Sequence, residues 1–245
     1  MRRAKQRIFS GAVCEQIVYT VPERTRDIKK TKPRPRFENE EDRAEHRKRI
    51  ALRNYVRMFN ASFSPTSLYS TLTFDDEHEV HTFQEARRIQ DAYVRRLKRA
   101  CPDARFTIVK GRGVNTDRIH FHMVSDGIPE EIIRGKWGQG PVNRIVHLRA
   151  NCAYQGVDHG QDYTGLATYL LNHWTEEQGG HRYYASRNMK RPEAEAPTEA
   201  LLPYAVDKPP RAPKGFVLVA AEANSYGYLH YTYVAEKFLK RRRKE

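Results

Sequence analysis

Alternating apolar and polar residues predict a set of β-strands through the middle of the chain. The clearest is segment 118–124, in which Ile, Phe and Met alternate with Arg and two His. Successive side chains of a strand point to opposite faces, so one face can enter a core while the other presents His120 and His122. Further strands are predicted at 68–75, 106–110 and 142–149, with a C-terminal hairpin at 216–219 and 229–234 that is expected to extend the same sheet.

Apolar residues at helical spacing predict helices between these strands. The predicted helices lie at 39–59, 82–101, 128–137 and 162–174. Thr82 and Glu85 have the form of a capping box, and Asp162 is expected to cap the last helix. The elements together predict an α+β fold in which helices pack mainly on one face of an antiparallel sheet.

The last predicted helix contains two tyrosines in different positions. Tyr163 falls in the apolar sector, which is about 140° wide, and is expected in the core. Tyr169 projects roughly 130° from the centre of that sector, one turn after Gly165, which leaves space beside the phenol. Tyr169 is therefore a candidate nucleophile, and a surface tyrosine that only packs along its helix is the alternative.

The two histidines of segment 118–124 are candidate metal ligands. Residues two apart on one strand face are roughly 7 Å apart at Cα, so His120 and His122 can converge on one cation, and neutral imidazole is a common ligand. Hydrogen bonding within a polar sheet face is the alternative. A third ligand stays open, and the chemically able residues are Asp75, Asp158, His159, Asp162 and His173.

The charge of the chain favours a polyanionic partner. Its 44 Lys and Arg residues outnumber 30 Asp and Glu residues, which gives a formal charge of +14 over 245 residues. Nucleic acid is the first candidate. A membrane is not expected as a partner, because no apolar run approaches about 18 residues and no signal segment is visible. The three separated cysteines indicate free thiols, and a cytoplasmic location is expected.

Basic and aromatic residues interleave in segment 181–191, a pattern typical of single-strand binding. Aromatic rings can stack on bases while guanidinium and ammonium groups meet phosphates. The predicted DNA-binding residues are Arg118, Arg182, Arg187, Lys190 and Arg191.

Three segments, in this order, resemble the motifs of the HUH endonucleases, and rolling-circle replication initiator (Rep) proteins of bacterial plasmids, phages and mobile elements are the most similar members. The segments are Ser70-Thr71-Leu72-Thr73-Phe74, Ile119-His120-Phe121-His122-Met123-Val124 and Ala167-Thr168-Tyr169-Leu170-Leu171-Asn172. The resemblance implies an RRM- or ferredoxin-like palm. It runs over residues 62–192, the implied nuclease core. Composition and patterning predict a basic N-terminal arm and helix (1–61), a Pro-rich linker (193–214) and a C-terminal hairpin with a basic tail (215–245).

The resemblance implies that His120 and His122 hold Mg²⁺ or Mn²⁺ while Tyr169 attacks a phosphate of single-stranded DNA at a replication origin. The products would be a 5′-phosphotyrosyl link and a free 3′-hydroxyl, extended by a host polymerase after unwinding by a host helicase. The chain departs from many relatives at Thr168 and Asn172, where they carry lysine. It also has Val109-Lys110-Gly111 where they place a carboxylate ligand.

Two other functions are compatible with these residues. A non-catalytic module for single-stranded nucleic acid would use the basic and aromatic segment and leave the histidines as hydrogen-bonding groups. A relaxase or transposase would use the same catalytic residues for a different strand transfer.

Overall fold

The structure is a computed structural model that describes residues 2–21, 39–113, 117–174, 181–224 and 228–240. The chain forms two compact units. Unit 1 comprises residues 1–61, 151–162 and 191–245, and unit 2 comprises residues 62–150 and 163–190. Among the described helices, none combines the length and the hydropathy needed to cross a membrane.

The helices and strands follow one another along the chain as two strands, a long helix and then an alternation of both. Their bounds are β1 (Arg2–Ser10), β2 (Val13–Val21), α1 (Glu40–Ser62), β3 (Leu68–Thr73), α2 (Phe83–Ala100), β4 (Arg105–Arg112), β5 (Ile119–Asp126), α3 (Glu130–Trp137), β6 (Val142–His147), β7 (Cys152–Tyr154), β8 (Val157–Gly160), α4 (Thr164–Asn172), β9 (Tyr184–Ala185), β10 (Glu193–Ala194), β11 (Thr198–Glu199), β12 (Phe216–Ala223) and β13 (Leu229–Ala235).

Unit 2 is built on a five-stranded antiparallel sheet in the order β6-β3-β5-β4-β9. The strand that carries His120 and His122 is β5, and it pairs with the preceding strand β4 as predicted. Ile119, Phe121 and Met123 are at most 2% exposed and lie in one core with residues of α2 and α3. The α+β class with antiparallel sheets is confirmed, and the alternation of β5 explains why Ile119, Phe121 and Met123 share the face that enters the core.

Helix α2 begins where the sequence predicts. The Thr82 hydroxyl accepts a hydrogen bond from the Glu85 amide at 3.2 Å and donates one to the Glu85 carboxylate at 3.0 Å. This local exchange satisfies an amide that a helix terminus would otherwise leave without a partner. The buried face of α2 includes Tyr93 and Leu97, which pack into the same core as β5.

Unit 1 contains a second antiparallel sheet that the sequence pattern did not predict. Its main order is β10-β1-β2-β13-β12, with β11 also paired to β1. The N-terminal residues are therefore a hairpin of two strands rather than an arm, up to residue 21; residues 22–38 of that prediction lie outside the described part. Gly11 makes the turn at φ 61°, where an added Cβ would lie 2.2 Å from the Asn60 carbonyl oxygen.

The predicted C-terminal hairpin exists as β12 and β13, but its partner is β2 and not the sheet of unit 2. Pairing of Leu229 with Val18 buries both side chains in a core of unit 1. The segment predicted as a linker contributes β10 and β11 to the same sheet, so its first residues are paired strands. The basic tail at 241–245 lies outside the described residues.

The prediction that Asp162 caps the last helix is wrong. Helix α4 starts at Thr164, its N-cap residue is Tyr163, and no side chain forms a cap hydrogen bond there. The Asp162 carboxylate instead accepts a hydrogen bond from Asn60 at 3.3 Å and lies 3.4 Å from His159 Nδ1, both within unit 1.

Candidate metal centre and nucleophile

The register of the unit 2 sheet defines which residues share a face with His120 and His122. Gly111 lies opposite His120 and Val109 lies opposite His122 on β4. On the other side of β5, Thr71 lies opposite His122. Directly opposed residues of antiparallel strands point to the same face, so these positions form the floor around the two imidazoles.

His173, the C-cap residue of α4, brings a third imidazole to this floor. His120, His122 and His173 each offer a ring nitrogen, and these three atoms lie within 4.8 Å of one another. The Nε2 atoms of His120 and His122 are 3.1 Å apart, and the ring centroids of His122 and His173 are 4.6 Å apart. Together the three residues form what we name the histidine cluster.

The histidine cluster favours neutral rings. Burial lowers the pKa of His122 to about 3, and the neighbouring charges of His120 and His173 act in the same direction. Burial also lowers the pKa of His120 and of His173, the latter with a contribution from His120. Neutral imidazole is the form that ligates a metal, because protonation removes the lone pair.

The outer nitrogens of the two strand histidines have hydrogen-bond partners. His122 Nδ1 lies 2.8 Å from the Tyr69 hydroxyl, and His120 Nδ1 lies 3.4 Å from the Arg118 carbonyl oxygen. With hydrogen on Nδ1, both rings donate outward and their Nε2 lone pairs point toward each other. This arrangement of outer partners is typical of metal-binding histidines.

Gly111 keeps the interior of the cluster open. A Cβ added there would lie 2.8 Å from His120 Nε2 and 3.1 Å from His173 Nδ1. Gly111 occupies the strand in which many HUH endonucleases place a carboxylate, so in this chain the absent side chain coincides with the approach of His173. The imidazole of His173, at the end of α4, can therefore approach β4 closely because residue 111 has no side chain.

Tyr169 is the exposed tyrosine of α4, and Tyr163 is the buried one, as the helical spacing predicted. Their exposed fractions are 51% and 2%. The Tyr169 ring lies 4.7 Å from that of His173 and 5.9 Å from that of His122, measured between centroids. A Cβ added to Gly165 would meet no atom within 4 Å, so the space expected one turn before Tyr169 is present.

The other acidic or imidazole residues predicted as a possible third ligand have different surroundings. Asp75 Oδ1 lies 2.6 Å from His78 Nδ1. Asp158 accepts hydrogen bonds from the Lys240 and Gly160 amides and belongs, with His159 and Asp162, to unit 1. Of the five residues, His173 is the one that joins His120 and His122.

The predicted DNA-binding residues fall into three situations. Arg118 forms ion pairs with Asp76 at 2.6 Å and Glu79 at 3.3 Å, so carboxylates already engage its guanidinium. Arg182 lies over the Trp174 ring at 4.2 Å. Arg187 and Lys190 are exposed in unit 2, and Arg191 is exposed in unit 1.

Sequence reasoning missed Tyr69 and Gly111 as parts of this site. Tyr69 was available from the strand alternation, because it shares a face with Thr71 and hence with His122. Gly111 carried no comparable signal, since its effect depends on how closely the end of α4 approaches β4.

The donor set of the histidine cluster fits a divalent transition metal. Three neutral imidazoles converge there, and a Cβ at Gly111 would crowd two of them. Imidazole suits such ions better than Mg²⁺, which prefers oxygen ligands. Comparisons of the chain with protein-family models, curated proteins and solved structures found no match.

Proposed function

We propose that the chain is an HUH-type endonuclease and strand transferase that nicks single-stranded DNA through Tyr169. The observation that supports this most is the contact of the exposed Tyr169 ring with two members of the histidine cluster, at centroid distances of 4.7 and 5.9 Å. A nucleophile beside a metal-ligand set is the minimum that this kind of phosphoryl transfer requires.

His120, His122 and His173 would hold the cation, with Mn²⁺ favoured over Mg²⁺ by the imidazole donors. A divalent cation there would neutralise charge on a phosphate oxygen and so ease attack by an anionic nucleophile. Tyr69 and the Arg118 carbonyl would hold the strand imidazoles in the ligating tautomer. The exposed position of Tyr169 leaves its hydroxyl accessible to a DNA phosphate.

In the proposed step the Tyr169 oxygen loses its proton and bonds to phosphorus, and the bond from phosphorus to the 3′ oxygen breaks. The 3′ oxygen takes up a proton and leaves as a hydroxyl. The number of phosphodiester bonds is unchanged, so the reverse reaction can rejoin the strands. By resemblance to Rep proteins, we propose that the nick lies at a rolling-circle origin and that the 3′-hydroxyl primes a host polymerase, with a host helicase opening the duplex.

The test is whether Tyr169 forms a covalent adduct with DNA. The full chain is incubated with Mn²⁺ and a labelled pool of single-stranded oligonucleotides with a randomised centre, then separated under denaturing conditions. We expect an adduct from the wild type and none from Tyr169→Phe, which removes only the nucleophilic oxygen. Mass spectrometry of the digested adduct should place the nucleotide on the peptide that contains Tyr169.

Tyr154→Phe is the matched control and should form the adduct, because Tyr154 is also an exposed tyrosine but lies in β7 of unit 1, outside α4 and the histidine cluster. An adduct from Tyr169→Phe, or a nucleotide on another tyrosine, would show that the wrong nucleophile is assigned. If the wild type bound the pool but formed no adduct with any metal, a non-catalytic binding module would replace the endonuclease.

A further inference from the structure

A second cluster of cationic groups lies on the opposite face of the unit 2 sheet from the histidine cluster. Lys110 pairs with Phe121, whereas its neighbour Gly111 pairs with His120. Phe121 is fully buried in the core beneath α2. Because successive strand residues face opposite ways, Lys110 points toward α2.

Lys110 is unusual for its position. Phe106 and Ile108, which precede Lys110 on this face of β4, are at most 1% exposed, and Lys110 itself is only 7% exposed. Burial lowers the pKa of Lys110, Arg87 of α2 lowers it further, and Asp91 of α2 opposes this shift. A lysine is rarely buried this far unless its ammonium group is paired, because desolvation of an ammonium group is costly.

Lys110 contributes to a pocket whose walls come from α2, β4 and the segment before β9. The lining residues are Arg87, Gln90, Asp91, Ile108, Lys110, His181, Arg182, Tyr183 and Tyr184. Three of these are cations and one is a carboxylate, so the walls carry an excess of positive charge. The enclosed volume of about 80 Å³ is several times the roughly 10–15 Å³ that one water needs, so a phosphate group fits.

Three contacts of aromatic rings fix the geometry of these walls. The Tyr184 ring stacks on Phe106 at 5.6 Å, with the Lys98 ammonium 5.6 Å from the same ring. Arg182 lies over Trp174, which follows His173 directly in the chain. Arg182, in one wall of the pocket, therefore contacts the residue that follows a member of the histidine cluster in the chain.

We infer that this pocket binds one backbone phosphate of single-stranded DNA, with Arg87, Lys110 and Arg182 as the cationic contacts. The sugar and base would lie at its open mouth against Tyr183. The exposed cations Arg187 and Lys190 continue from the pocket along the chain, so a strand would find further phosphate contacts there that a free phosphate ion would not use.

The edge of the sheet allows one strand to reach both faces. In the described part of unit 2, β9 pairs only with Thr107 and Ile108 of β4. The edge of β4 at Lys110 and Gly111 is therefore not covered by a paired strand there. A DNA strand that passes around this edge would run from the pocket to the histidine cluster. This inference goes beyond the proposed function, because binding in the pocket does not depend on cleavage.

The test measures binding of a fluorescent oligo(dT) of about 15 nucleotides to the full chain by anisotropy, in chelator so that metal-dependent cleavage is absent. We expect Arg87→Gln to weaken binding about tenfold at ~0.1 M salt, because it removes a charge-assisted hydrogen bond to phosphate. The slope of log affinity against log salt should fall by about 0.7 for each phosphate that is no longer neutralised. Lys110→Met, which keeps the side-chain volume, should act in the same direction.

Arg88→Gln is the matched control: it makes the same charge change at the next position of α2, and Arg88 is exposed and does not line the pocket. Its affinity should stay within about threefold of the wild type, since only the general field changes. Equal effects of Arg87→Gln and Arg88→Gln, or none from either, would overturn the inference. A third result would also overturn it: the wild type binds dTMP as tightly as the oligonucleotide, and Arg87→Gln weakens both affinities by the same factor. This result would indicate a mononucleotide site.

Covalent adduct formation separates this inference from the proposed function. At a limiting oligonucleotide concentration with Mn²⁺, Arg87→Gln should form less of the Tyr169 adduct in proportion to its weaker binding, whereas Arg88→Gln, which does not line the pocket, should form about the wild-type amount. A wild type that binds DNA through Arg87 but forms no adduct would contradict the nuclease proposal alone.

Discussion

Two polar clusters, one in each unit, lie against antiparallel sheets but differ in how their charges combine. In unit 1, Glu15 of β2 is held by Arg57 and by His230, whose Nε2 lies 2.9 Å from the carboxylate; these three residues form the Glu15 cluster. Burial opposes ionisation of Glu15, but hydrogen bonds from His230 and Arg57 outweigh it, so its pKa lies below the ordinary value. In unit 2 the histidine cluster brings together three groups of the same kind, and the charge of one disfavours protonation of another.

The contrast indicates different roles. The Glu15 cluster contains both signs of charge, so its members stabilise one another and need no ligand. The histidine cluster has converging lone pairs, and a bound cation would stabilise this arrangement. A buried polar cluster whose opposite charges pair with each other typically has a structural role. A cluster of converging groups of a single kind is typical of a binding site.

The largest expected effect comes from breaking the Glu15 cluster. Glu15→Gln leaves Arg57 with only 11% of its side chain exposed and without its carboxylate partner, and should destabilise unit 1 by about 3 kcal/mol. His173→Ala should cost unit 2 less than about 1 kcal/mol, because no attraction between opposite charges within the cluster is removed. Hydrogen exchange of peptides from each unit measures the two effects separately.

The same two variants should reverse their order when Mn²⁺ affinity is measured by calorimetry. His173→Ala should lower the affinity at least about a hundredfold through loss of a ligand. Glu15→Gln should leave it unchanged at a temperature at which unit 2 is folded. A His173→Ala protein that binds Mn²⁺ like the wild type would remove His173 from the ligand set, and the two clusters would no longer differ in role.

A smaller effect is expected from filling the cluster. Gly111→Ala places a methyl group 2.8 Å from His120 Nε2 and 3.1 Å from His173 Nδ1, and should weaken Mn²⁺ binding about tenfold. Stability should stay within about 1 kcal/mol, because Gly111 has no positive φ and Ala is the better strand residue. Calorimetry with Mn²⁺ and thermal unfolding in chelator measure the two quantities.

Gly165→Ala is the control for this substitution, because its added Cβ would meet nothing within 4 Å. It should leave Mn²⁺ affinity unchanged and stabilise α4 by roughly 0.5–1 kcal/mol. Equal Mn²⁺ affinities of Gly111→Ala and the wild type would mean that the glycine is not needed for the approach of the imidazoles.

Local patterns were sufficient to predict much of unit 2. The alternation in 118–124 predicted that Ile119, Phe121 and Met123 of β5 are buried, and helical spacing separated exposed Tyr169 from buried Tyr163. The capping of α2 was predictable because the two residues of its capping box are three positions apart. Each of these inferences depends only on neighbours along the chain.

Features that depend on distant segments were not predicted. The pairing of Val18 with Leu229 joins residues more than two hundred positions apart, and the burial of polar Gln16 obscures the alternation of β2. His173 could not be separated from four other possible ligands, because its position depends on how the end of α4 meets β4. The role of Gly111 follows from that same approach.

The last expected effect concerns pH and distinguishes the histidine cluster from the Glu15 cluster. Burial, with the charges of His120 and His173, lowers the pKa of His122 to about 3 in the folded protein, whereas an unfolded histidine titrates near 6.5, an approximate reference value. Between these values the unfolded chain binds more protons, so stability falls as pH falls below about 6.5. Above that pH His122 is neutral in both states and contributes no dependence. Glu15 has a depressed pKa, so its contribution is lost only at more acidic pH.

In chelator, as pH falls from about 6.5 to about 5, the loss of stability that His122 causes in unit 2 should approach about 1.4 kcal/mol per pH unit. His122→Gln should make the dependence of unit 2 stability on pH less steep, by the amount that one titrating group contributes. His230→Gln should leave the pH dependence of unit 2 unchanged. Denaturant unfolding followed by the two tryptophans, Trp137 and Trp174, reports on unit 2, since both belong to it. Identical slopes for the wild type and His122→Gln would mean that His122 is not held neutral by its surroundings, and the electrostatic difference between the two clusters would disappear.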